Sequence, residues 1–166
     1  LMINHGGTEM GQGLYTKIQQ VVAREFSVPR EQVMVTSTRT DKIPNTSATA
    51  ASSGSDLNGM AARDACRRVK QELVAFATQH FGIPEEDVHF DNGEVVLGVQ
   101  RWSLRAFANF AYMNRIPLFA TGFYRTPKIH YDRDTAKGRP FFYYAHGAAV
   151  SEVTVDCLTG EYRIER

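Results

Sequence analysis

A chain of 166 residues, 43% apolar and 22% charged, is long enough for one domain with a buried core. Its 19 Lys and Arg against 18 Asp and Glu leave a formal charge of +1, too little for an electrostatic footprint on nucleic acid or an anionic membrane. No run reaches the roughly 18 consecutive apolar residues of a membrane span, and the N-terminus lacks the basic-then-apolar layout of a signal peptide.

The chain opens on LMINH, a short β-compatible segment. From Gly13 the period changes: Leu14, Ile18, Val21 and Val22 recur at helical spacing and predict an amphipathic helix that Ser27 and Pro29 end. QVMVTST (32–38) has the β-branched alternation of a strand, and RTDKIPNT (39–46) is turn chemistry. Leu57, Ala61, Ala65, Val69, Leu73 and Ala77 predict a second, longer helix stopped by Gly82. DVHFDNGEVVLG (87–98) reads as a hairpin turning at Asn92-Gly93. Ser103 is the expected N-cap of a third helix with Leu104, Phe107, Phe110 and Ala111 inward. The remainder reads as β-rich: PLFATGFYRT (117–126), a loop at 132–140, and a long strand at 141–156 that turns at Thr159-Gly160 into EYRIER. Helices alternate with strands first and strands dominate later, which argues an α+β fold, a mixed β-sheet with helices packed on one face. Because the chain starts and stops inside apparent strands, residues 1–166 read as a single fragment of a domain, incomplete at both ends.

Cys66 and Cys157 lie far apart without CxxC spacing and read as reduced thiols, which makes a cytoplasmic setting the expectation. Two segments of minimal side chain each run into a helix. The first, HGGTEMGQG, carries glycines at 6, 7, 11 and 13. Such a cluster costs backbone entropy and needs either left-handed backbone or a ligand lying against the main chain. The second, PNTSATAASSGSDLNG, holds only Ser, Thr, Ala and Gly from Thr46 to Ser55. Small hydroxyls and unpaired amides at a helix start make an anion site, although Ser, Thr and Asp also favour helix starts for generic reasons. Neither segment has the order of a dinucleotide fingerprint or a P-loop. His5, His80, His89, His130 and His146 are dispersed without zinc spacing, and no nucleophile elbow is present. Glu9 and Glu152 sit beside side-chain-poor segments and could do acid–base work, but a solvated or structural carboxylate is the commoner reading. The residues alone give a backbone-lined anionic pocket with its enzyme class open.

HGGTEMGQGLYTK, VPREQV, PNTSATAASSGSDLNG, ATGFYRTP and GAAVSEVTVDCLTGE, taken together and in order, resemble the large, molybdenum-binding part of the xanthine dehydrogenase family, across nearly the whole chain. The short NTSATAASSGSD form is most similar to bacterial members with separate subunits. The resemblance implies a molybdenum hydroxylase that oxidises hypoxanthine and xanthine to urate with water-derived oxygen. It implies a molybdenum–molybdopterin cofactor here, and FAD, two [2Fe–2S] clusters and NAD as acceptor elsewhere in the enzyme. The implied partners are the rest of the large subunit, a FAD/iron–sulfur small subunit and a purine substrate, with no nucleic acid and no membrane.

Carried over by motif, Met10, Gly11 and Gln12 match one cofactor-binding segment, and Ala50, Ala51, Ser52, Ser53 and Gly54 match the other, with the Ala51 amide nearest the metal's ligands. Gln12 would offer its amide to the pterin, and Gly11 would let the main chain lie against it. The family's catalytic base and its substrate-binding phenylalanines and arginine fall outside these residues, so no catalytic residue is assigned and the isolated chain is expected to be inactive. Tyr15 stands where relatives often carry histidine, and His146 where tyrosine is frequent. A related aldehyde or N-heterocycle hydroxylase, or a non-catalytic α+β binding module, are the alternatives.

Overall fold

The computed structural model describes residues 1–166 except 43–45, 47, 51, 52 and 145. The chain forms two compact units, Leu1–Thr126 and Pro127–Arg166.

In the first unit, strand β1 (Met2–Ile3) pairs in parallel with β2 (Met34–Val35). Between them runs helix α1 (Leu14–Phe26), whose Leu14, Ile18, Val22, Ala23 and Phe26 are buried. The chain leaves α1 through Ser27, which adopts a left-handed φ of 51°, while the Val28 N–H returns to the Ala23 carbonyl at 3.0 Å. Helix α2 (Gly54–Phe81) ends at Gly82, where φ is 67°. The two helices pack along most of α1. Arg63 of α2 pairs with Glu25 of α1 at 2.8 Å, and the Lys70 ammonium donates to the Glu25 carbonyl at 2.7 Å while sitting 4.7 Å from the Phe90 ring.

A three-stranded antiparallel sheet follows: β3 (Val88–Asp91), β4 (Glu94–Leu97) and β5 (Gln100–Ser103). Asn92 and Gly93 supply its tight turn with φ of 52° and 80°, the two positive values a type I′ hairpin needs. The turn is also an anchor, since the Gly93 N–H donates to the Ser27 carbonyl at 2.6 Å and the Gly93 carbonyl accepts from Leu104 at 2.8 Å. Ser103 caps helix α3 (Leu104–Met113), accepting the Ala106 N–H at 3.2 Å. One continuous core results, from Leu14, Ile18 and Val33 to Leu73, Val95 and Phe107. Its rim is aromatic: Trp102, Phe76 and Phe81 approach Phe110 with centroids 5.3–6.1 Å apart.

The α+β class stands, with its β-structure distributed over small sheets, one parallel and the others antiparallel. Three details differ from the sequence reading. The 117–126 segment has no regular secondary structure and joins no sheet. Its main chain lies against α2 instead, so close that a side chain at Gly122 would run into the Ala61 carbonyl and the Ala65 nitrogen, and the Phe123 N–H donates to Asp64 at 3.1 Å. In the second unit, the expected loop at 132–140 contains half of a hairpin, β6 (His130–Asp132) with β7 (Lys137–Arg139). The expected long strand at 141–156 is regular only at β8 (Val153–Val155), which pairs with β9 (Tyr162–Ile164) around Gly160. Both hairpins are held by their turns: the Asp132 carboxylate accepts from Asp134, and Asp156 accepts from Leu158 at 2.8 Å. Every described residue from 127 to 166 is exposed.

Candidate functional site

The glycine-rich segment after β1 is shaped by three separate demands. Gly7 is packed: an added Cβ would stand 2.5 Å from a Leu14 methyl and 2.9 Å from the Asn58 amide nitrogen. Gly11 and Gly13 have φ of 98° and 75°, backbone that L side chains rarely adopt, and open space lies where their side chains would be. The carboxylate of Glu9 closes the loop on itself. It accepts from the N–H groups of Gly11 at 2.9 Å, Gly13 at 3.0 Å and Tyr15 at 3.0 Å. These bonds, Tyr15's foremost, hold the Glu9 carboxyl below its ordinary value. The Gly11, Gly13 and Tyr15 amides at the start of α1 are therefore already engaged, and the sequence expectation of bare N–H donors is corrected for these three.

Gln12 is a brace as well. Its Oε1 accepts the Met10 N–H at 2.6 Å and its Nε2 donates to the Thr8 carbonyl at 2.8 Å. Tyr15 ties the loop to the end of β2, since its hydroxyl meets Thr38 Oγ1 at 2.8 Å and Thr38 Oγ1 donates to the Gly7 carbonyl at 2.7 Å.

The second small-residue segment meets the first. The Thr8 N–H donates to Thr49 Oγ1 at 2.8 Å, across 41 residues of sequence. Met10, Gln12, Leu14 and Lys17 on one side and Thr49, Ala50, Gly54 and Ser55 on the other line a single cleft of about 340 Å³. Ser53 precedes α2 and turns its hydroxyl to the Ala50 carbonyl at 3.2 Å rather than capping the helix. Of the residues matched to cofactor loops, Met10, Gln12, Ala50 and Gly54 line the cleft; Gly11 and Ser53 adjoin it in sequence without lining it. Ala51 and Ser52 lie outside the described residues. The residues sequence reasoning missed are Thr8 and Thr49, which join the loops, and Lys17, whose helical spacing from Leu14 was the available signal.

A larger groove of about 770 Å³ runs beside β1, floored by Ala61, Ala62 and Ala65 of α2, and no charged side chain among the described residues lines it. His5 borders it and is 6% exposed. Its Nδ1 accepts the Gly7 N–H at 3.1 Å, so the neutral ring carries its proton on Nε2, which has no partner among the described residues. Burial pushes the His5 imidazole down, with Asn58 pulling weakly the other way.

No group of three or more His, Cys, Asp or Glu that could hold a metal ion occurs among the described residues. The cleft's donor set is of another kind: hydroxyls, an amide, an ammonium and glycine main chain. That set suits a polar organic group bearing an anion, the chemistry of a pterin cofactor that carries its own metal.

Residues 1–166 match the family of the molybdopterin cofactor-binding domain. The chain belongs to that family. It is 40% identical to the xanthine dehydrogenase/oxidase of Gallus gallus over 163 residues, covering 98% of this chain and 11% of that protein. Xanthine dehydrogenase of Oryza sativa subsp. japonica is 40% identical over 162 residues, covering 98% and 10%. Both relatives are eukaryotic, and the chain spans about a tenth of their length. Among solved structures, the Cu,Mo-CO dehydrogenase aligns with a TM-score of 0.63 at 24% identity over 76% of this chain and 17% of that one. Quinoline 2-oxidoreductase from Pseudomonas putida 86 aligns at 0.59 and 21% identity over 74% and 16%. These likenesses show the fold.

Proposed function

We propose that this chain supplies one wall of the molybdenum–molybdopterin site in an enzyme that oxidises hypoxanthine and xanthine to urate. The observation that carries this reading is the shared cleft, lined by Met10 and Gln12 on one side and by Thr49, Ala50, Gly54 and Ser55 on the other, with Thr8 bonded to Thr49. The relatives support the purine substrate by their names. When bound, the cofactor would supply the redox and oxygen-transfer chemistry. This chain's residues would supply its seat: Met10, Gln12, Ala50 and Gly54 around the pterin side, with Gly11, Ala51, Ser52 and Ser53 completing the loops. Gln12 acts first on the protein, because its amide fixes the Met10 main chain and the Thr8 carbonyl, and with them the side of the cleft. The spare lone pair and spare N–H of that amide remain for a ligand.

In this reading the FAD, the two [2Fe–2S] clusters and the NAD site belong to other parts of the enzyme, including a small subunit of the bacterial arrangement. The setting is cytoplasmic, to which the two free thiols Cys66 and Cys157 lend support. The catalytic base and substrate-anchoring residues would come from the rest of the large subunit, so residues 1–166 alone turn over no purine.

The test is made on the complete polypeptide. Wild type should contain molybdenum and form urate from xanthine. Gln12→Ala should lower molybdenum per protein several-fold while the enzyme that retains metal keeps its KM for xanthine. Normal metal content with an altered KM would sink the assignment of Gln12, and an enzyme without molybdenum or urate formation would sink the function.

A further inference from the structure

We propose that Lys17 forms an anion subsite at the α1 end of the cleft and takes the phosphate of the bound cofactor. The proposal rests on the function argued above for the identity of the ligand, and on the following geometry for the site.

Among the described residues, Lys17 is the only charged side chain that lines the 340 Å³ cleft. Among the described residues its ammonium has neither an ion pair nor a hydrogen bond. Other lysines of this unit are spent on the protein: Lys42 donates to the Ser37 carbonyl at 2.8 Å and Lys70 to the Glu25 carbonyl at 2.7 Å. A helix N-terminus would ordinarily attract an anion by itself. Here that attraction is already answered, because Glu9 occupies the Gly11, Gly13 and Tyr15 amides. Positive charge for an incoming phosphate has to come from a side chain, and Lys17 is the one in place.

Two hydroxyls complete the donor set. Thr49 Oγ1 accepts from Thr8 and so keeps its own hydrogen to donate, and Ser55 lies on the same wall. An ammonium with flanking hydroxyls recognises a phosphate monoester, whereas a neutral ring would need no cation. The larger groove, which has no charged lining among the described residues, shows that a cation is not a general property of the cavities in this unit. Because Lys17 is exposed, its attraction is screened by salt.

The experiment compares wild type, Lys17→Met and Lys17→Arg in the complete polypeptide, with two readouts. One is calorimetric binding of inorganic pyrophosphate to protein stripped of cofactor, at low and raised salt; the other is molybdenum per protein as purified. Removing one charge-assisted partner should weaken pyrophosphate binding about tenfold and flatten its salt dependence, while Lys17→Arg should stay within about threefold of wild type. Molybdenum content should fall in Lys17→Met and hold in Lys17→Arg. Wild-type protein that binds no pyrophosphate, or Lys17→Met that binds it as wild type does, overturns the subsite. If pyrophosphate binding depends on Lys17 but wild type carries no molybdenum, the subsite stands and the molybdenum function falls. If wild type carries molybdenum that Lys17→Met retains, with pyrophosphate binding unchanged, the function stands and the subsite falls.

Discussion

Residues 1–126 and 127–166 contain similar raw material and use it differently. The first unit buries Leu14, Ile18, Leu73, Val95 and Phe107 almost completely. The second carries Ile129, Phe141, Phe142, Tyr144, Val153, Val155 and Ile164, and exposes all of them. What separates the two is helices. In the first unit α1, α2 and α3 close over a three-stranded sheet, so each apolar side chain meets others from several elements. In the second, two isolated hairpins hold their shape through ladder bonds and aspartate-capped turns, and no described residue of the unit covers their faces. Two-stranded hairpins are marginal alone in water, so local order there carries little free energy. Apolar composition supplies the material for a core, and layering decides whether a core forms.

The sharpest way to break this contrast is a matched pair of truncations. Phe107→Ala empties a site that is 0% exposed and should cost about 3–5 kcal/mol of unfolding free energy, whereas Phe142→Ala, with its ring 37% exposed, should cost under about 0.5 kcal/mol. Urea unfolding of the 166-residue chain measures both, and comparable losses would show that the second unit has a core after all.

The cysteines give a chemical version of the comparison. Burial, reinforced by Glu25, pushes the Cys66 thiol up to about 11, while Cys157 is exposed. At pH 7.5 the Cys66 thiolate is then on the order of one molecule in three thousand. Iodoacetamide should label Cys157 at least about a hundredfold faster than Cys66, and urea should erase the difference. Equal rates in native protein would mean that α2 opens readily.

A further test concerns the 117–126 segment. Gly122→Ala forces a methyl into the α2 backbone at Ala61 and Ala65, which should cost about 1–3 kcal/mol and speed hydrogen exchange at the Phe123 amide, now held by Asp64. An unchanged exchange rate would show that the segment is not seated on the helix.

Much of the first unit was legible in the sequence because its signals are local. The Leu14, Ile18 and Val22 stripe, the stop at Gly82, the Asn92-Gly93 turn and the Ser103 cap each depend on residues a few positions apart, and each appears in the structure. The 117–126 segment misled for the opposite reason. Its β-favouring residues say only that the backbone is extended, and a helix packed alongside took the place of a neighbouring strand. The structural reading of Glu9 holds, but its three amide partners are not legible in the sequence, because they come together only when Gly11 and Gly13 take positive φ.

The amino-acid sequence by itself determined the helices, the hairpin turn, the two side-chain-poor segments and the family, since all of these are written in short-range pattern and motif order. Only the tertiary structure decided that Met10 and Gln12 share one cleft with Thr49, Ala50, Gly54 and Ser55, that Lys17 faces it with no partner among the described residues, and that every described residue from 127 to 166 is exposed. Proximity between residues dozens of positions apart is set by how α1 and α2 pack, and that packing is a property of the whole buried surface rather than of any segment in it.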